Sequence, residues 1–136
     1  MKIKEAVSLY KILGEAKVSN LEESEIIKIV KVRKVLRSVV EEYEAFFKDA
    51  QDKFKPNDFE EVQNKIQRWN ELTDEEKIAV NKSIKLYEAK INATVNEEAE
   101  RELDIKVDKL TDDSITKLLK QNDWSISKLD EMSPML

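Results

Sequence analysis

Residues 22 to 54 read EESEIIKIVKVRKVLRSVVEEYEAFFKDAQDKF. Within this run Ile29, Val32, Leu36, Val39, Tyr43, Phe46 and Ala50 fall at spacings of three and four, the a and d positions of a heptad. Ile26, Val40, Phe47 and Phe54 lie one position beside them, at e, and Arg33 interrupts that row. The apolar face is wider than a bare two-stranded seam and suits a packed bundle. No Gly or Pro lies between Asn20 and Lys55, so nothing local ends the helix. At about 1.5 Å per residue, roughly 31 residues span about 46 Å. A compact chain of this length has a radius of gyration of about 14 Å, a globule roughly 37 Å across. The helix exceeds the ball that would hold it. The sequence therefore predicts an elongated molecule, a broken helix, or a second chain covering the excess.

Charge along the run is segregated. Lys28, Lys31, Arg33, Lys34 and Arg37 come with no acid among them, and Glu41, Glu42, Glu44, Asp49 and Asp52 follow, with Lys48 interspersed. Such a block is either a solvated face or the feature that orients an antiparallel partner.

Working outward, residues 2–13 form a short amphipathic helix. Ile3, Val7, Tyr10 and Leu13 share one face, and Leu9 and Ile12 widen it. Gly14, the only glycine, is placed to follow the helix end as its C′ residue. Residues 16–19 are a brief extended link, with Ser19 or Asn20 as cap of the long helix. Pro56 pushes Lys55 out of helical conformation and opens a loop. Phe59, Val62, Ile66 and Trp69 then mark a tip helix over 58–70. Thr73 and Glu76 form a capping box that starts a return helix over 74–101, with Val80, Ile84, Tyr87, Ile91 and Val95 as its stripe. Folding this helix back sets residue 43 near 84 and 32 near 95. The basic block then faces Glu97, Glu98 and Glu100, and the acidic block faces Lys77, Lys82 and Lys85. Exposed pairs contribute under about 1 kcal/mol each, but their agreement selects one antiparallel register.

The period changes at Leu103. Leu103, Ile105 and Val107 alternate with Asp104, Lys106 and Asp108, which predicts a strand over 103–107. Its partner would be residues 16–19 or the same strand of another copy; the competing reading is that the helix continues. A short helix over 112–121 follows, started by Thr111 or Asp113 and burying Ile115, Leu118 and Leu119, with Asn122 and Asp123 at its end. Trp124 and Ile126 are expected to anchor the tail, residues 127–132 to form a last turn, and Met132, Met135 and Leu136 to fray or to dock on a partner. The fold class is mainly α: a single domain built as an elongated antiparallel helical hairpin, with a short N-terminal helix and a small C-terminal strand-plus-helix element.

Composition bounds the chemistry. The 136 residues are 39% charged and 40% apolar, enough to build a core. There is no His and no Cys, which removes the common general base, the commonest metal ligands and the usual nucleophilic triads. One Gly excludes a glycine-rich phosphate loop. Glu97, Glu98, Glu100 and Glu102 read as a solvated helix end rather than a cation site. The triplet at Asn92 matches a glycosylation acceptor, but lies in mid-helix. Tyr10, Trp69, Tyr87 and Trp124 read as core rather than as a base-stacking platform. A net charge of −5 makes general nucleic-acid binding an unfavoured expectation. No catalytic residue, cofactor, metal site or small-molecule substrate is evident, and the chain is expected to be no enzyme. No apolar run reaches a membrane span, and the N-terminus lacks a signal-peptide core, so the expected location is the cytoplasm.

The order of elements resembles that of small helical proteins of unknown function from tailed phages and prophages. The resemblance is carried by Leu13 and Gly14, Lys17 to Ser19, the hairpin, the alternation from Leu103 to Val107, and Ile115, Leu118 and Leu119. It is one of pattern, without a diagnostic motif, and implies an accessory or structural role in the bacterial host cytoplasm. The expected function is that of a non-catalytic interaction or assembly protein that self-associates or docks on a larger body. The alternative is an adaptor or regulator that holds a polyanion through Lys28, Lys31, Arg33, Lys34 and Arg37.

Overall fold

The computed structural model describes all 136 residues. The chain is mainly helical. It runs α1 (Ile3–Glu15), α2 (Glu23–Phe54), α3 (Phe59–Gln67), a 3-10 turn (Trp69–Glu71), α4 (Asp74–Ala99), α5 (Asp112–Asn122), α6 (Ile126–Asp130) and a closing 3-10 turn (Ser133–Met135). The chain divides into two compact units. Unit 1 comprises Met1–Glu44 and Ala99–Leu136, and unit 2 comprises Ala45–Glu98.

Unit 1 holds a core of Ala6, Leu9, Ile12 and Leu13 from α1, Ile29, Val32 and Leu36 from α2, Leu118 from α5, and Leu21, Leu110, Met132 and Met135 from the connecting and closing segments. The seam of α2 appears here as expected, with Ile29, Val32 and Leu36 all buried. Fully burying one such side chain stabilises by about 1.5–3 kcal/mol. The face of α1 is turned about one position from the expected one: Ile3, Ala6, Leu9, Ile12 and Leu13 are buried, while Val7 and Tyr10 are half-buried.

Gly14 does not end α1. The helix continues to Glu15, and the glycine serves a close approach instead. A Cβ at this position would stand 2.9 Å from Arg33 Nη2. The guanidinium carbon of Arg33 lies 4.2 Å from the centre of the Tyr10 ring. Arg33 thus interrupts the e row of α2 because its head rests against α1, held to an aromatic face by a cation–π contact.

The strand expected over 103–107 is not formed. Leu103, Ile105 and Val107 do pack against the core while Asp104, Lys106 and Asp108 point outward, so the alternation is real as a facing pattern. No ladder follows from it. One antiparallel bridge joins Lys2 to Glu102, with Ile3 N donating to Arg101 O at 3.1 Å and Leu103 N donating to Met1 O at 2.7 Å. The partner backbone turns helical at Ile3, so its remaining donors and acceptors close α1 instead of extending a sheet. The link expected as an alternative partner is occupied elsewhere. Lys17 N donates to Asn122 Oδ1 at 2.7 Å, and Gln121 Nε2 donates to Ser19 Oγ at 2.6 Å. The Ser19 hydroxyl is therefore tied to the end of α5.

The C-terminal half of unit 1 follows local signals closely. Thr111 caps α5, its hydroxyl accepting from Ser114 N at 3.2 Å. Asp123 closes the helix in the left-handed region at φ 52°, a conformation that aspartate tolerates better than most residues. The expectation that the tail frays is overturned. Met132 and Met135 are both fully buried, and Leu110 N donates to Met135 O at 2.8 Å. Unbranched methionines fill the irregular space left between α1, α2 and α5. Trp124 packs on the same core, whereas Ile126 is exposed and anchors nothing.

Unit 2 consists of the end of α2, α3 and most of α4. The capping box forms in both directions: Glu76 N donates to Thr73 Oγ1 at 3.2 Å, and Thr73 N to Glu76 Oε1 at 3.3 Å. Replacing Thr73 by Ala should lower the stability of this unit by about 0.5–2 kcal/mol, read as a shift in its urea midpoint. The tip helix is shorter than expected and is followed by a separate 3-10 turn, with Lys77 Nζ 5.6 Å from the centre of the Trp69 ring.

The expected register is not adopted. Tyr87 Oη donates to the carbonyl of Gln51 at 2.8 Å, where folding back about the loop would have set residue 87 opposite residue 40. The cause is α3. It packs on the first half of α4, with Asp58, Glu61, Val62 and Lys65 beside Ala79, Val80 and Ser83. α4 therefore meets α2 further along its own length. The expected charge pairing changes as well. Glu100 is held by Lys2, at 2.7 Å, and by Lys4, not by the basic block. These two lysines hold its carboxyl down to about 2.

Candidate functional site

The five basic residues of α2 separate into two sets. Lys28 and Arg33 turn inward. Lys28 Nζ lies 3.2 Å from Glu25 Oε2 and donates to the Lys109 carbonyl at 3.2 Å, while Arg33 rests on Tyr10. Lys31, Lys34 and Arg37 are exposed and make no ion pair within the chain. Their spacing of three places them along the outward side of the helix, opposite the buried Val32 and Leu36.

That outward side is not simply polar. Ile27, Val30 and Val35 share it, at 52%, 61% and 51% exposure. Three β-branched aliphatics and three unpaired cations thus share about three turns of one helix side. Polar helix formers would favour α2 there, so three residues of lower helix propensity are unexpected on solvent grounds. Single exposed apolar residues are ordinary on a surface, and these three stand among cations on one side of α2. The aliphatics were legible in the sequence as residues off the a, d and e rows. Which side of α2 faces solvent was not.

The inward set builds a different feature. Glu25 is buried, 3% exposed, on the first turn of α2. Its Oε1 accepts from Thr111 N at 3.1 Å, and its Oε2 meets Lys28. Burial acts to raise its pKa, but the hydrogen bonds with Thr111 and the ion pair with Lys28 outweigh burial and hold it below the ordinary carboxylate value. The group joins α2 to the start of α5 and is structural. Sequence reasoning passed over it because its partner lies 86 residues away.

Unit 2 carries a cleft of about 690 Å³. Phe47, Phe59, Ile66, Ile84, Tyr87 and Ile91 supply its apolar wall, and the edge of the Phe59 ring meets Tyr87 with centroids 5.7 Å apart. Its size is that of a ligand pocket. Its polar rim includes Gln51, Asp52, Lys55, Gln63, Ser83, Glu88 and Asn92.

No group of three or more acidic or metal-ligating side chains is arranged to hold an ion. No helix is long and apolar enough to cross a membrane. Comparison of the chain with protein-family models, with curated proteins and with solved structures returns no match.

Proposed function

We propose that this chain is a non-catalytic interaction protein that binds a protein partner through the outward face of α2 between Ile27 and Arg37. The observation that supports this reading is the pairing of three exposed aliphatics with three unpaired cations on one helix. Aliphatic contact supplies affinity and the cations supply orientation, as at the core and rim of a protein interface. A phage or prophage accessory role in a host cytoplasm, implied by the order of elements, is a proposal of the same kind and rests on that resemblance.

The second reading is a polyanion adaptor. It is favoured by the three-residue spacing of Lys31, Lys34 and Arg37, which aligns three charges along about two turns. It is weakened by the loss of Lys28 and Arg33 to contacts inside the molecule and by the net charge of −5. A photo-crosslinking amino acid placed at Val30 separates the two. The first reading expects a discrete protein adduct in cells producing the chain. A nuclease-sensitive adduct would establish the second reading, and the lack of any adduct would remove both.

A further inference from the structure

The outward face of α2 continues past Arg37 with a change of sign. Along one line, linked by steps of three and four residues between members of adjacent turns, it holds Ile27, Val30, Lys31, Lys34, Arg37, Ser38, Glu41 and Glu44. All belong to unit 1, and all are exposed. The N-terminal half of the line is cationic and the C-terminal half anionic. None of Lys31, Lys34, Arg37, Glu41 and Glu44 is ion-paired within the chain. Between the halves stands Ser38, a small residue whose hydroxyl is turned back to its own helix, donating to the Val35 carbonyl at 3.3 Å.

A line with this polarity is complementary to itself. We propose that the partner of this face is a second copy of the same chain, joined by an antiparallel α2–α2 contact whose two-fold axis passes beside Ser38. This inference rests on reading the face as a partner-binding surface, and it names the partner. Running the second helix in the opposite direction sets Lys34 against Glu41 and Lys31 against Glu44, and the two-fold repeats both pairs. A parallel arrangement sets like charges together and is disfavoured. An isologous contact needs one patch that matches its own inverse, and the sign change at Ser38 supplies it. The same register sets Arg37 opposite Ser38 of the second copy, whose small side chain leaves room for the arginine. The face from Ile27 to Glu44 is about 27 Å long. A contact of that length lies at or below the low end of stable interfaces, roughly 1,200 Å² in total. The dimer is therefore weak and salt-sensitive, with charge setting its geometry.

The chain has no Cys, so Ser38→Cys introduces a single thiol. Helix axes about 8–10 Å apart, each with Cα atoms on a radius of about 2.3 Å, leave facing Cα atoms about 3.4–5.4 Å apart, a range that overlaps disulfide reach. Mild oxidation of the S38C protein should give a covalent dimer, while the same treatment of S127C leaves monomer. The charge test is stricter. K31E/K34E leaves Arg37 as the one cation of the line, and E41K/E44K makes it wholly basic. By sedimentation at low salt each variant alone should dissociate about tenfold or more readily than the wild type, and an equimolar mixture of the two should recover association. These substitutions lie on exposed positions, and unchanged thermal melts by circular dichroism verify that both variants fold. Wild-type protein that stays monomeric at millimolar concentration, variants that associate as the wild type does, or a mixture that fails to recover would each overturn the dimer. The Val30 adduct distinguishes this failure from that of the underlying reading. An adduct of twice the chain mass supports the dimer. A protein adduct of another mass removes the dimer and leaves the partner-binding face standing.

Discussion

Replacing Met135 by Ala should lower the stability of unit 1 by about 2–5 kcal/mol, and Met132→Ala should do the same. Both side chains are fully buried among Leu9, Ile12, Leu36 and Leu118. Truncation removes their transfer free energy and leaves a cavity that three helices cannot fully collapse to fill. The two positions are linked, since Met135 N donates to Met132 O at 2.8 Å, so the double variant should depart from the sum of the singles. Against a total of about 5–15 kcal/mol for a domain, losing both brings the unit close to its threshold. Urea unfolding followed by Trp124, which packs on this core, measures the effect; a Trp69→Phe background removes the signal from unit 2. Losses below about 1 kcal/mol at both positions would mean that the closing segment is not part of the core.

Glu25→Ala should cost about 1.5–3 kcal/mol, the range for a hydrogen bond to a charged group that leaves its donor behind. The change leaves Thr111 N without its acceptor and Lys28 without its counter-charge, and so loosens α5 from α2. Glu25→Gln keeps an oxygen for Thr111 N and should cost less. The pair also predicts a pH signature. The folded-state pKa of Glu25 is depressed. Its contribution is therefore fully present above the ordinary carboxylate value of 4.5 and is lost as pH falls through the lower folded value. Glu100, held at about 2 by Lys2 and Lys4, acts with the same sign, its contribution fading between pH 4.5 and about 2. Stability of unit 1 should fall as the medium is acidified below pH 4.5, and E25Q should reduce that fall. A variant whose acid profile matches the wild type would show that Glu25 titrates alike in the folded and unfolded chain.

Features set by neighbours in sequence were legible in it. The long α2, the stop at Pro56, the capping box at Thr73, the cap at Thr111 and the turn at Asn122 and Asp123 each depend on residues within one helical turn of one another. The buried triad Ile29, Val32 and Leu36 belongs with them, because a 3.6-residue period fixes which side chains share a face. Part of the candidate site was legible for the same reason, since the basic block is a run in the sequence. That Lys28 and Arg33 leave it was not legible, because their partners Lys109 and Tyr10 lie far away along the chain.

The remaining features were decided by what met what. An alternating segment becomes a strand only if a second backbone runs beside it, and the one offered at Met1 to Ile3 turns into a helix after a single bridge. Two methionines near the end of the chain are tail or core according to whether a hole of their size exists, and the packing of α1, α2 and α5 makes one. A helix register follows from every element that shares the contact, so α3 displaced the pairing of α4 with α2 that their charges alone favoured. Local propensity and period are properties of a few adjacent residues and can be read directly. Long-range contacts depend on the shapes and unsatisfied groups that remain once those local elements exist, and only the assembled tertiary structure specifies them.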